Sequence, residues 1–308
     1  MFKFTPNQWS TSHRTFKLLS KELMWICWLQ CPLKYFPSDF TLDNLVVLDM
    51  QYSNLKELWK GKKILNRLKI INLSHSQHLI KTPNLHSSSI EKLILKGCSS
   101  LVEVNQSIEN LTSVVFLNLE GCWRLKILPE SIGNVKSLKR LNISGCSQLE
   151  KLPERMGDMK SLTELLADGI ENEQFLSSIG QLKYVRRLSL RGYSFSQDSP
   201  SWLSPSSTSW PPSISSFISA SVLCLKRLLP TTFIDWRSVK SLELPYVGLS
   251  DQATYCVDFR GFSSLEELDL SGNKFSSLPS GIGFLPKLRV LFVTDANILY
   301  QSQMFPQV

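Results

Sequence analysis

Three cysteines recur at one constant interval in the middle of the chain: Cys98, Cys122 and Cys146. Regularly placed thiols could hold zinc or form a redox ladder. A zinc site, however, needs ligands that converge on one point, and one thiol per period does not supply that. They read instead as small buried residues filling the position that Asn273 fills in a later copy of the same pattern. The only histidines are His13, His75, His78 and His86, with no carboxylate or cysteine at a metal or acid–base spacing. The sequence contains no GxSxG elbow, Rossmann glycine set or GxxxxGK[ST] phosphate loop. These residues predict no catalysis, no metal and no cofactor. Asn72, Asn105, Asn110 and Asn142 begin N-x-[ST] triplets, which have meaning only in a secreted chain.

Composition narrows the partners. The first twenty residues carry Lys3, His13, Arg14 and Lys17 and have no apolar signal core. Seven cysteines without a CxxC pair argue against a disulfide framework. A cytoplasmic or nucleo-cytoplasmic chain is expected. The net charge of +8 is dispersed. Its densest tract, Lys60-Gly61-Lys62-Lys63, is short and has no interleaved aromatics, so nucleic acid is not an expected partner. No apolar run reaches the roughly 20 residues needed to cross a bilayer, so neither is a membrane.

The cysteines belong to a repeat. LxxLxL followed by xxC or xxN starts at Leu45, Leu68, Ile90, Val114, Leu138, Leu162, Val185, Val239, Leu265 and Leu288, with a degenerate unit at Leu23. Successive starts up to Val185 keep a nearly constant interval, inside the roughly 20–29-residue period of leucine-rich repeats. The last two apolar positions, two residues apart, point to one face of a short strand, and parallel stacking closes a core that no single repeat could close. Gly97, Gly121 and Gly145 mark the sharp turn after the strand. The return segments LPESIGNVKSL (128–138), LPERMGDMKSL (152–162) and LPSGIGFLPKL (278–288) predict short helical or 3₁₀ turns. The fold class is thus α/β: a leucine-rich-repeat solenoid with a curved parallel sheet on its concave face and short helices on its convex face.

The step from Val185 to Val239 is more than twice the usual interval. Within it, residues 194–221 hold thirteen Ser and four Pro, and Trp202, Trp210 and Phe217 punctuate the stretch. The expected organisation is a polar leader over 1–22, repeats over 23–193, a Ser/Pro-rich loop over 194–222, repeats over 223–300 and a tail over 301–308.

Residues 31–85 carry PLKYFP (32–37), LVVLDMQYSNLKELWKG (45–61) and LKIINLSHSQHLIKTP (68–83), followed by Cys-marked repeats ending LPESIGNVKSL. This succession resembles the first repeats of plant TIR-type nucleotide-binding leucine-rich-repeat disease-resistance proteins. The resemblance runs over about residues 23 to 300. It implies a non-catalytic recognition module whose partner is a pathogen effector, a guarded host protein, or the receptor's own nucleotide-binding domain. The chain lacks the family's nucleotide-binding and TIR motifs and is read as a truncated form. The alternative is a repeat scaffold unrelated to immunity.

Function is expected on the concave face, from side chains between the core leucines. In chain order these are Glu91, Lys92 and Lys96, then Phe116, Asn118 and Glu120. Lys139, Arg140 and Asn142 follow, then Glu164 and Asp168. Arg186, Arg187 and Arg191 form a basic repeat and Glu266, Glu267 and Asp269 an acidic one, together a charge-graded strip suited to a protein partner.

Overall fold

The computed structural model describes residues 2–4, 22–36, 43–61, 63–86, 89–170, 172–192, 236–249, 259–275 and 277–294. The chain forms two compact units, Met1–Ser189 and Leu190–Val308. The Ser/Pro-rich stretch and its aromatics, the leucines at 223–229 and His13 lie outside the described residues.

In the first unit the strands are β1 (Phe2–Phe4), β2 (Trp25–Trp28), β3 (Val47–Asp49), β4 (Lys63–Ile64), β5 (Ile70–Asn72), β6 (Leu85–His86) and β7 (Lys92–Ile94). They continue with β8 (Phe116–Asn118), β9 (Arg140–Asn142), β10 (Glu164–Leu166) and β11 (Arg187–Ser189). All but β4 and β6 join one parallel sheet in the order β1-β2-β3-β5-β7-β8-β9-β10-β11, while β4 and β6 pair with each other. The second unit holds β12 (Ser241–Glu243), β13 (Glu267–Asp269) and β14 (Val290–Phe292), also parallel. From β2 on, each main-sheet strand begins two residues after an LxxLxL start. Phe2–Phe4 is a further strand inside the segment read as a polar leader, in register with Ile26–Trp28. Both units are leucine-rich-repeat solenoids.

Register explains the core. Leu48, Ile71, Leu93, Leu117, Leu141, Leu165 and Leu188 occupy one row and none is more than 1% exposed. Each buried leucine of this kind contributes about 1.5–3 kcal/mol, and each lies against the equivalent residue of its neighbours. Behind the sheet the chain returns through 3₁₀ turns. Pro129 and Pro153 precede Glu130–Asn134 and Glu154–Asp158, as Pro279 precedes Ser280–Phe284 in the second unit. The departure is α1 (Glu173–Ile179), capped by the Asn172 side chain, which accepts from the Gln174 and Phe175 amides. Gly133 in the first LPxxIG segment lets the next repeat approach, since a Cβ there would lie 2.4 Å from Arg155 Cβ.

From β3 on, the third residue after most main-sheet strands has positive φ. Tyr52, His75, Gly97, Gly121, Gly145 and Gly169 fill this position in the first unit, and Tyr246 and Gly272 fill it in the second. Tyr52 stacks on His75, with ring centroids 4.8 Å apart. The His75 ring in turn covers Gly97, where a Cβ would meet Nδ1 at 2.4 Å. At Gly121, with nearly the same φ, the nearest atom to a Cβ is 3.5 Å away. Gly97→Ala therefore combines left-handed strain with a clash and should lower stability by about 1–3 kcal/mol. Gly121→Ala carries the strain alone. Urea denaturation should show the larger midpoint loss for Gly97→Ala, and a His75→Ala background should remove the difference.

Candidate protein-recognition surface

Because strands alternate side chains between faces, the residues flanking each buried central leucine form rows on the outer sheet face. One row, fixed by the strand register, runs Trp25, Val47, Ile70, Lys92, Phe116, Arg140, Glu164, Arg187. The residues just before them form a second row: Met24, Val46, Lys69, Glu91, Val115, Lys139, Thr163, Arg186. Both rows begin apolar, with Met24 61% and Trp25 40% exposed; the first charge is Lys92 in one row and Lys69 in the other, and Phe116, Val115 and Thr163 interrupt the charges beyond. This apolar end lies outside the strip expected from Glu91 onward, and its sequence signal is Met24 and Trp25, directly after the degenerate start at Leu23.

The charges do not stand singly. Lys69 pairs with Glu91 at 2.8 Å and Lys96 with Glu120 at 2.9 Å. Arg140 grips both carboxylate oxygens of Glu164, at 2.8 and 2.9 Å, while Arg187 approaches the same group at 3.6 Å. The Arg140 guanidinium also lies over the Phe116 ring, 5.4 Å from its centroid. Phe116, Arg140, Glu164 and Arg187 are thus one network across four strands. Asp168 accepts from the Ser189 hydroxyl at 2.5 Å. In the second unit Arg191 pairs with Glu243. Lys240 bonds Glu266 at 2.7 Å and, through that hydrogen bond and its charge, holds the carboxyl below the usual range. The expected acidic repeat is therefore largely tied down, since Asp269 also accepts from the Ser271 amide at 2.9 Å.

Asn118 and Asn142 do similar work. Each side-chain oxygen accepts from the amide two residues on, Glu120 and Ser144, and both residues are buried. Asn72 does the same with Ser74, and Asn105 caps the 3₁₀ turn Gln106–Asn110 by accepting from Ser107. These local bonds shape turns, so Asn118 is a structural member of the strip rather than a reaching one. Lys92, Lys139, Arg186 and Glu267 are exposed. In the short basic tract, Lys60 sits over Tyr35, 4.8 Å from the ring centroid.

The cysteine column faces inward, with Cys98, Cys122 and Cys146 all 0% exposed. Their thiols donate at 3.2 Å to the carbonyls of Leu73, Leu95 and Leu119, each one repeat back. Asn273 occupies the same position and donates to Leu244 O at 2.9 Å. Ser76 also belongs to the column, donating to Met50 O at 3.4 Å, a polar residue equivalent to the cysteines. Among the described residues no three His, Cys, Asp or Glu side chains form a metal cluster, and no helix is long and apolar enough to cross a membrane.

A parallel strand per period, a left-handed turn, a buried donor column and a 3₁₀ return define a leucine-rich-repeat protein. The Leucine Rich Repeat family models match residues 44–63 and 264–285. Curated relatives that match part of it include plant disease-resistance proteins. Disease resistance protein RPP2A of Arabidopsis thaliana is 44% identical over 101 residues, which is 32% of this chain and 8% of that protein. Protein SUPPRESSOR OF npr1-1, CONSTITUTIVE 1 of the same plant is 42% identical over 101 residues, 32% of this chain and 7% of that protein. Disease resistance protein RPV1 of Vitis rotundifolia is 39% identical over 99 residues, again 32% and 7%. The matches therefore span less than a tenth of these relatives' length. Among solved structures, internalin C2 of Listeria monocytogenes is 15% identical with a TM-score of 0.35, covering 67% of this chain and 82% of that one.

Burial pushes the Cys98 and Cys146 thiols from the ordinary 9.0 up to about 12, and Cys122 well upward. Since the thiolate is the nucleophile, these three cysteines should resist alkylation by iodoacetamide at pH 8 until urea unfolds the chain. The folded pKa lies above the unfolded one, so this contribution to stability is whole below pH 9.0 and is lost as pH rises toward about 12. Fast modification of the native protein would contradict this burial.

Proposed function

We propose that the chain is a non-catalytic recognition module of a plant intracellular immune receptor, and that it binds a partner protein on the outer face of its parallel sheet. The observation that carries this reading is the Phe116–Arg140–Glu164–Arg187 network: charged and aromatic side chains held across four adjacent strands of one ladder. Such a surface is pre-organised, so a partner finds its charges already oriented. The chemistry-bearing residues support the same reading. The thiols are buried donors, and the column they form serves the backbone.

Similarity to plant disease-resistance proteins supports immunity as the setting. The partner is then a pathogen effector, a guarded host protein or the receptor's nucleotide-binding domain, met in the cytoplasm or nucleus. The pairing inside the rows implies that binding selects a complementary charge pattern rather than net charge alone.

A photo-crosslinking benzoylphenylalanine at Phe116, compared with one at the exposed Glu130 on the return side, tests the assignment. In challenged leaf tissue the sheet-face probe should capture a pathogen or receptor protein that the return-side probe does not. Capture only from position 130, or the same constitutive set with and without challenge, would replace this reading with a general scaffold.

A further inference from the structure

The internal pairing of the sheet face leaves a remainder. Glu91, Glu120 and Glu164 are engaged by Lys69, Lys96 and Arg140. Lys92, Lys139 and Arg186 are exposed and, among the described residues, carry no ion pair. Lys92 belongs to β7, Lys139 directly precedes β9 and Arg186 directly precedes β11. Each is two strands from the next. At about 4.8 Å per strand the cations therefore follow one another at about 10 Å across the sheet.

Spacing decides the ligand class. Cations about 10 Å apart do not converge on one phosphate, and a nucleic-acid strand offers a charge about every 3.4 Å of its helical axis. A polypeptide reaches the same spacing naturally: seven residues of helix rise about 10.5 Å, and three residues of extended chain span about 10 Å. The surface between the cations is also neutral or already paired. Val115 and Thr163 flank Lys139 in the row it shares with Arg186, and Phe116, next to Lys92 in the other row, lies beneath Arg140. A densely charged polyanion would gain little there, whereas a peptide with spaced carboxylates and uncharged residues between them fits.

We propose that Lys92, Lys139 and Arg186 read an acidic polypeptide segment whose carboxylates recur about every 10 Å. This rests on the sheet face being the recognition surface, and it names what that surface selects.

Two fluorescein-labelled peptides serve as probes: a helical 21-mer with Glu every seventh residue and a Gly-containing non-helical peptide with Glu every third. A control of the same composition carries its glutamates in one block, and a single-stranded RNA 20-mer covers the polyphosphate case. At low salt, anisotropy should show at least one spaced peptide binding about tenfold or more tightly than the block peptide. The triple variant Lys92→Glu/Lys139→Glu/Arg186→Glu should lose that advantage. Lys126→Glu/Lys160→Glu, which reverses exposed cations off the rows, should keep it, with circular dichroism confirming both folds. Equal binding of spaced and block peptides, an advantage surviving the triple variant, or tighter RNA binding that needs the same three cations would overturn the proposal. Phe116 crosslinks that persist despite such an outcome would leave the sheet-face reading standing, whereas loss of the crosslinks with peptide selectivity intact would count against that reading alone.

Discussion

Lateral backbone pairing is the constraint on which everything else in the first unit depends. Main-sheet strands of three or four residues cannot hold themselves, so each repeat is completed by the next. The amides of Met50, Leu73, Leu95, Leu119 and Ile143 donate at 2.7–2.8 Å to the carbonyls of Asn72, Ile94, Asn118, Asn142 and Leu166, one repeat on. With this ladder in place, the row of central leucines is sealed from both sides. A slip of one residue would turn that row to solvent, so burial locks the register and the register assigns every other side chain its face.

The electrostatics follow from that geometry. Side chains in one row are neighbours whether or not their charges agree, and the rows place Lys96 beside Glu120 and Arg140 beside Glu164. Pairs this exposed are worth about 0.2–1 kcal/mol each, so they do little for the fold. Their effect is selective: they cancel some charges and leave others. The same holds in the second unit, where Lys240 engages Glu266 and Arg191 engages Glu243. In the first unit the charged face is, in detail, largely a set of internal pairs, with Lys92, Lys139 and Arg186 outside them.

The pattern of apolar residues disclosed the ladder well. Every LxxLxL start leads into a strand, the Pro of each LPxxIG-type segment precedes a 3₁₀ turn, and the cysteines fill the position of Asn273. What was hidden lies at one remove from the pattern. Phe2–Phe4 pairs through its backbone and carries no LxxLxL signature. Ser76 performs the cysteine's task without a cysteine's side chain, and His75 takes a left-handed turn that glycine marks elsewhere. The ion pairs needed one further step. Lys96 and Glu120, like Arg140 and Glu164, are separated by one repeat period, and the pairing is visible only when the sequence is laid out in columns.

The donor column shows why the residues that first suggest chemistry are committed to the fold. Ser76, Cys98, Cys122, Cys146 and Asn273 differ in reactivity but share a requirement: each donates to a carbonyl at the end of the preceding strand. A carbonyl left without a donor there would cost about 1–3 kcal/mol, so the position is held for a small donor and is withdrawn from solvent. The outer rows have no such obligation. Replacing Lys92, Lys139 or Arg186 removes no buried bond and opens no cavity, so the fold places almost no restriction on them. Side chains can change there without disturbing the ladder, so the frame constrains the thiols and leaves Lys92, Lys139 and Arg186 almost unconstrained.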